Sequence, residues 1–274
     1  FNDLKDKINE PINDFYNTKA TVVFNAVEQS GIRIDRDEFK SHFYDERSEY
    51  VYTQYNFKTL TTRPSNKFNG VNYAALNKDN GCRKSFIPRN DRFIELDIGA
   101  YHPTLLGLLV GYDFGEEDIH KSFAKMYGVD YHKSKELTFK QLYGGVFEQF
   151  KDLEFFQRVQ IYVDDLWLKF NEKGWIECPV SKHVYKKDAL DDMKPQKLLN
   201  YVLQNLETAM NVRILWDIFK SLRNRKTELV LYTYDSFLFD FKEGEEDLID
   251  EIKQIIKKYK LTIKESYGSN YDFR

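Results

Sequence analysis

The chain has 274 residues, 42% of them hydrophobic and 31% charged, with a formal net charge of −3, enough for one large or two small domains with a real core. It contains no apolar run long enough to span a membrane and no signal-peptide pattern at its start, so a soluble, cytoplasmic protein is expected. The small negative charge excludes a broadly basic nucleic-acid binder and leaves any such binding to local patches.

Three short basic clusters qualify: Arg83, Lys84, Arg89 and Arg92; Lys182, His183, Lys186 and Lys187; and Arg223, Arg225 and Lys226. Each is more commonly a solvated face. Cys82 and Cys178 match no metal or redox spacing and read as reduced cysteines. The 19 Tyr and 22 Phe are compatible with base stacking but more often make core.

In chain order, residues 1–30 read as helical, broken at Pro11 and stopped by Gly31. Residues 32–35 are a short strand or turn, and 36–60, charged and aromatic without a clean period, read as a connector. A polar loop over 61–72 precedes an expected strand at 83–88. Residues 93–98 form a β-rich run that Gly99 breaks, and 104–110 suit a buried helix. That places Asp97 at a strand end, where an aspartate is ordinarily held by its own turn amides. Helices are expected over 118–129, 131–144, 147–172 and 193–222. Residues 229–240 are two β-type runs hinged at Asp235, a hairpin with a carboxylate at its tip.

Two such acids meeting on adjacent strands change the reading of Asp97. At about 4 Å and an effective dielectric of about 20, two carboxylates repel by roughly 4 kcal/mol, so the pair persists only if protonated or neutralised by a cation. Oxygen-only ligation favours Mg²⁺ or Mn²⁺. A metal pair held in this way activates an attacking hydroxyl and stabilises a leaving phosphate oxygen, as in nucleic-acid polymerases and nucleases. On 131–143, residues four apart share a helix face, so Tyr131, Lys135, Phe139 and Tyr143 form one stripe. A core stripe is the ordinary meaning, but Lys135 in its middle needs an anion, which a triphosphate supplies.

Residues 61–274 resemble the family A DNA polymerases. Arg63, Ser65, Asn69 and Asn72 fall where that family has T-G-R-x-S and N-x-x-N, and Arg83 to Phe86 where it has I-R-x-x-F. Asp118-Ile119-His120 reproduces D-I-H, and Lys135, Phe139, Tyr143 and Gly144 fit the nucleotide-binding helix K-x-x-x-[FY]-x-x-x-Y-G. Asn200 and Gln204 match N-x-x-x-Q, and Tyr234-Asp235-Ser236 stands where the family has H-D-E. Single motifs of this kind are weak, but six in order are specific. The tail from Leu261 resembles the family's closing strand, which puts the end of the chain near the natural C-terminus, while the start without Met implies a piece of something longer.

The class implied is α+β, a right-hand polymerase core with an antiparallel palm sheet, helical fingers and a reduced thumb: an N-terminal helical region at 1–60, palm at 61–107, fingers at 108–205 and palm again at 206–274. The implied reaction is template-directed addition of deoxynucleotides to a primer 3′-hydroxyl. Asp97 and Asp235 would hold two Mg²⁺, with Mn²⁺ as a substitute and the Ile98 carbonyl as a further ligand. Lys135 and His120 would neutralise the triphosphate, and Phe139 and Tyr143 would stack on base and sugar. Arg63, Asn69, Asn72, Asn200 and Gln204 would hold primer-template DNA.

Four departures bear on this. The thumb is missing or vestigial between Asp35 and Thr61, which implies low processivity unless a replication partner compensates. His102 stands where DNA-synthesising members carry the Glu whose bulk helps exclude ribonucleotides. Ser236 replaces the third acid, and Tyr131 an arginine, so that His132, Lys133 or His120 would meet triphosphate charge instead. A polymerase of altered sugar or template choice, and a non-catalytic nucleic-acid-binding relic, are the competing readings. The small size and drifted motifs fit a phage or mobile-element enzyme.

Overall fold

A computed structural model describes residues 15–43, 48–66, 71–115 and 117–273. After a π-helical turn at Phe15–Ala20 come helix Thr21–Ser30 (α1), strand Ile32–Ile34 (β1), helix Arg36–His42 (α2) and strands Tyr50–Val51 (β2), Phe86–Ile87 (β3) and Arg92–Gly99 (β4). Four helices follow, Tyr101–Val110 (α3), Ile119–Tyr127 (α4), Tyr131–Gly144 (α5) and Glu154–Lys173 (α6), then a hairpin of Trp175–Glu177 (β5) and Val184–Lys186 (β6). The chain closes with Pro195–Ser221 (α7), Glu228–Thr233 (β7), Ser236–Phe241 (β8), Glu246–Lys257 (α8) and Thr262–Gly268 (β9). These elements divide into two compact units, Phe1–Gly99 with Met210–Arg274, and Ala100–Ala209.

The first unit is built on an antiparallel sheet in the order β7-β8-β4-β9, beside a three-stranded sheet in the order β2-β1-β3. Every residue of β8 is buried, as an apolar strand between two neighbours requires. In β4 the alternation after Ile94 leaves Glu95, Asp97 and Gly99 partly exposed on one face while Leu96 and Ile98 enter the core, the period of two that a one-faced strand shows. The register sets Asp97 opposite Ser236 on β8 and opposite Lys264 on β9. Helix α1 packs on β7 and α8 on β9. A core of Ile32, Phe39, Phe86, Phe93, Leu231 and Leu238 joins the two sheets. Asp240 is buried in β8, where its carboxylate accepts the backbone N–H groups of Arg89 (2.8 Å) and Asn90 (2.9 Å). That bond anchors the turn that feeds β4.

The second unit is helical apart from its hairpin. Helix α4 packs on α5 and α3 on α6, with an aromatic cluster of Phe114, Phe123, Phe155, Phe156 and Tyr127 at ring separations of 5.1 to 6.2 Å. Asp118 and Asp130 cap α4 and α5, accepting the N–H groups of Lys121 and Lys133, so the Asp of the D-I-H motif is a helix cap.

Three local expectations are corrected. Residues 36–60 are not a plain connector, since they contain α2 and β2. Asp35 caps α2 by accepting the N–H groups of Asp37 and Glu38, and Phe39 anchors the helix by stacking on Phe43 and meeting Phe86 edge-on, too few apolar positions to show a period. The strand expected at 83–88 is a 3₁₀ turn at Cys82–Ser85 followed by the two-residue β3. The helix expected from 147 begins at Glu154, after a short 3₁₀ turn. Residues 1–14, on which a broken helix was expected, lie outside the described residues.

Candidate functional site: a carboxylate cleft and an exposed aromatic stripe

Asp97 lies on the partly exposed face of β4, two residues before the strand ends, and Asp235 sits with Tyr234 in the two-residue turn between β7 and β8. Tyr234 adopts a left-handed conformation at φ 55°, which a tight hairpin turn needs. The turn is held from three sides. The Ile98 N–H donates to the Asp235 carbonyl (2.7 Å), and Asn211 Nδ2 donates to the Tyr234 carbonyl (2.6 Å) and the Tyr232 hydroxyl (2.8 Å). The Arg63 guanidinium lies 3.7 Å from the Tyr234 ring centroid, a cation–π distance.

Asp97 and Asp235 line one open cleft together with Glu95, Lys78, Arg83 and Ser236. Burial, then the charges of Asp235 and Glu95, push the Asp97 carboxyl up to about 6, against the pull of Lys264 and Lys78. Carboxylates crowded until one resists ionisation are what a hard divalent cation relieves, and the donor set is all oxygen. The residues therefore fit Mg²⁺ or Mn²⁺. Among the described residues no ready-made group of three or more His, Cys, Asp or Glu is gathered to hold a metal. Glu95, the third acid of the cleft, is engaged instead by the Ser236 hydroxyl (2.6 Å) and more weakly by that of Tyr271 (3.4 Å).

Sequence reasoning missed Glu95, although its signal was present. Residues two apart on a strand share a face, and Glu95 precedes Asp97 by two. Lys78 was missed because its loop carries no pattern. Of the residues expected to contact DNA in this unit, Asn72 opens the 3₁₀ turn Tyr73–Ala75 with its carbonyl accepting the Ala75 N–H (3.0 Å). Asn69 lies outside the described residues.

In the second unit, α5 buries Ser134, Thr138, Gln141 and Leu142. The predicted stripe lies off that face: Phe139 is 42% and Tyr143 38% exposed, their rings stacked at 6.1 Å and 21°. This stripe is not core. Lys135 Nζ sits 4.6 Å from the Tyr131 ring centroid. His120 is buried beside Tyr131 and Phe139, and burial, then Lys135, holds its imidazole below the usual range. Lys133 is paired with Glu136 (2.8 Å).

His102 is buried in the first turn of α3, with Nδ1 2.6 Å from the Tyr143 hydroxyl and Nε2 2.9 Å from Glu207 Oε2. No local pattern announces Glu207, which lies 105 residues further along the chain. Asn200 and Gln204 are half-buried on α7, and Gln204 Nε2 donates to Asn200 Oδ1 (3.1 Å).

No family model matches the chain, and no curated protein matches it in sequence. Among solved structures, the fold is similar to that of the POL domain of Pol1 from M. smegmatis, determined in complex with a DNA primer-template and dNTP. The TM-score is 0.69 at 16% identity, over 86% of this chain and 50% of that one. The present chain thus spans about half the length of that chain, and at this identity the likeness is one of fold: a polymerase-domain fold of helices and antiparallel sheet.

Proposed function

We propose that the chain is a family A-like DNA polymerase core that extends a primer 3′-hydroxyl by attack on the α-phosphate of a deoxynucleoside triphosphate, releasing pyrophosphate. The observation that carries this reading is the convergence of Asp97 and Asp235 in one cleft, within a fold similar to that of a polymerase domain. In this reading the sheet and its flanking helices are the palm, residues 108–205 the fingers, and the short segment between Asp35 and Thr61 a reduced thumb.

Asp97 and Asp235 would hold two Mg²⁺, with the Ile98 carbonyl as a further ligand, and the ions would lower the cost of deprotonating the attacking hydroxyl and neutralise charge on the leaving oxygen. Glu95 supplies the carboxylate that position 236 lacks, and Ser236 orients it by a hydrogen bond. Lys135 meets triphosphate charge, joined by His120 once the anion favours its protonated form. Phe139 and Tyr143 present stacked rings to base and sugar. Arg63, Asn69, Asn72, Asn200 and Gln204 contact phosphate, sugar and minor-groove atoms that fix register without reading sequence. A processivity partner is expected to compensate for the short thumb. Extension of a labelled primer on a DNA template, with Mg²⁺ and dNTPs, tests the reading against an Asp97→Asn control. Template-directed extension lost in the control supports it, and extension retained in the control overturns the role of Asp97.

One observation favours a second reading, altered sugar choice: an imidazole occupies position 102. Parallel reactions with rNTPs, and on RNA templates, separate the two.

A further inference from the structure

A buried carboxylate in the second unit, that of Glu207, has no place in the roles above. Glu207 on α7 is 1% exposed and His102 7%. The carboxylate meets His102 Nε2 at 2.9 Å, and Nδ1 on the other side of the ring meets the Tyr143 hydroxyl at 2.6 Å. A carboxylate this deeply buried persists only with a partner. Stability alone does not account for the pair, because replacing a buried ion pair with apolar residues of similar volume is often neutral or stabilising.

What distinguishes this pair is where it leads. Through His102 it reaches Tyr143, a ring exposed enough to touch a ligand and stacked on the exposed Phe139. A carboxylate has no hydrogen to donate, so Nε2 carries one, which fixes the ring plane and points Nδ1 at the phenol. Glu207 thereby sets the rotamer of a residue two hydrogen bonds away. An exposed aromatic whose hydroxyl is tied to a buried, fully engaged pair is pre-organised, and such rigidity serves recognition.

We propose that Glu207 is a positioning residue for the nucleotide sugar. By clamping His102 against Tyr143 it holds in place the wall that excludes a 2′-hydroxyl, so deoxyribose selectivity depends on a carboxylate that itself never meets the nucleotide. The inference rests on the polymerase reading and extends it to a residue that no motif marks.

The test is the ratio of kcat/KM for a dNTP to that for the matching rNTP on one primer-template. It is measured for the wild-type chain, Glu207→Leu, Glu207→Gln, Glu207→Asp and the apolar pair His102→Leu/Glu207→Leu. Glu207→Leu is expected to lower the ratio by about tenfold or more, with the change concentrated in KM. Glu207→Gln keeps an acceptor for Nε2–H and is expected to retain the ratio to within about threefold. The apolar pair removes wall and clamp together and sets the floor of selectivity. Should Glu207→Leu fail to fold, Glu207→Asp decides, because it keeps the charge but withdraws the carboxylate from Nε2: a ratio moved towards that floor supports the inference, and an unchanged one overturns it. An unchanged ratio in either leucine variant, with both nucleotide classes slowed equally, overturns it and leaves the polymerase reading intact. A wild-type chain that extends with neither dNTPs nor rNTPs removes the polymerase reading, and this inference with it.

Discussion

Replacing Asp97 with Asn should make the protein more stable while abolishing its chemistry. Burial and the neighbouring acids move the Asp97 carboxyl from its ordinary 3.8 to about 6. This corresponds to about 3 kcal/mol against the ionised form, and partial solvent access reduces the realised figure to about 1–2 kcal/mol. Because the folded-state value is raised, the folded chain holds this proton more tightly than the unfolded chain. The favourable contribution is therefore complete below about pH 4 and is lost as pH rises through about 6. In metal-free buffer at pH 8, Asp97→Asn should raise the thermal midpoint by roughly 3–6 °C. The gain should shrink by about half at pH 5 and vanish near pH 4. With Mg²⁺ at about a hundred times its dissociation constant, the wild-type chain alone should gain about 2.7 kcal/mol. Thermal unfolding with and without chelator, at the three pH values, reads all of this. An Asn variant no more stable than wild type at pH 8, or stabilised equally at every pH, would refute the claim that crowded, partly buried carboxylates strain the cleft.

Three further outcomes follow from the same geometry. Glu95→Gln should lower primer extension by about 10- to 100-fold, the usual range for losing a supporting partner of a metal site, and the exchange Glu95→Ser with Ser236→Glu should recover part of it. Equal activity in wild type and Glu95→Gln would remove Glu95 from the site. Asn211→Ala should cost about 1–3 kcal/mol in urea unfolding, because it removes the donor to the Tyr232 hydroxyl and the Tyr234 carbonyl, and it should slow extension by loosening the Asp235 turn; a fully active variant would detach that turn from the chemistry. Lys135→Ala should raise the apparent dNTP KM by about tenfold or more while primer-template affinity holds, and an unchanged KM would assign Lys135 to its contact with the Tyr131 ring alone.

The exposure of Phe139 and Tyr143 shows how far local pattern carries. Their four-residue spacing put them on one helix face with Lys135, and α5 forms there, but spacing alone does not say whether that face looks inward. The structure turns Ser134, Thr138 and Leu142 into the core instead. Asn200 and Gln204 were legible as a pair for the same reason, while their bond to each other was not.

What the sequence determined by itself is what neighbouring residues encode: the β-rich run ending at Asp97, the Asp235 hairpin, the helices and the motif order that resembles a polymerase family. These rest on side-chain period and turn chemistry, which act within a few residues. Only the tertiary structure decided that Ser236 reaches Glu95 across 141 residues and that His102 finds Glu207 across 105. It also decided that the crowding of Asp235 and Glu95 around Asp97 resists ionisation. Such partners are chosen by strand register and helix packing. A carboxylate's burial and its hydrogen-bond donors exist only once those surfaces have closed.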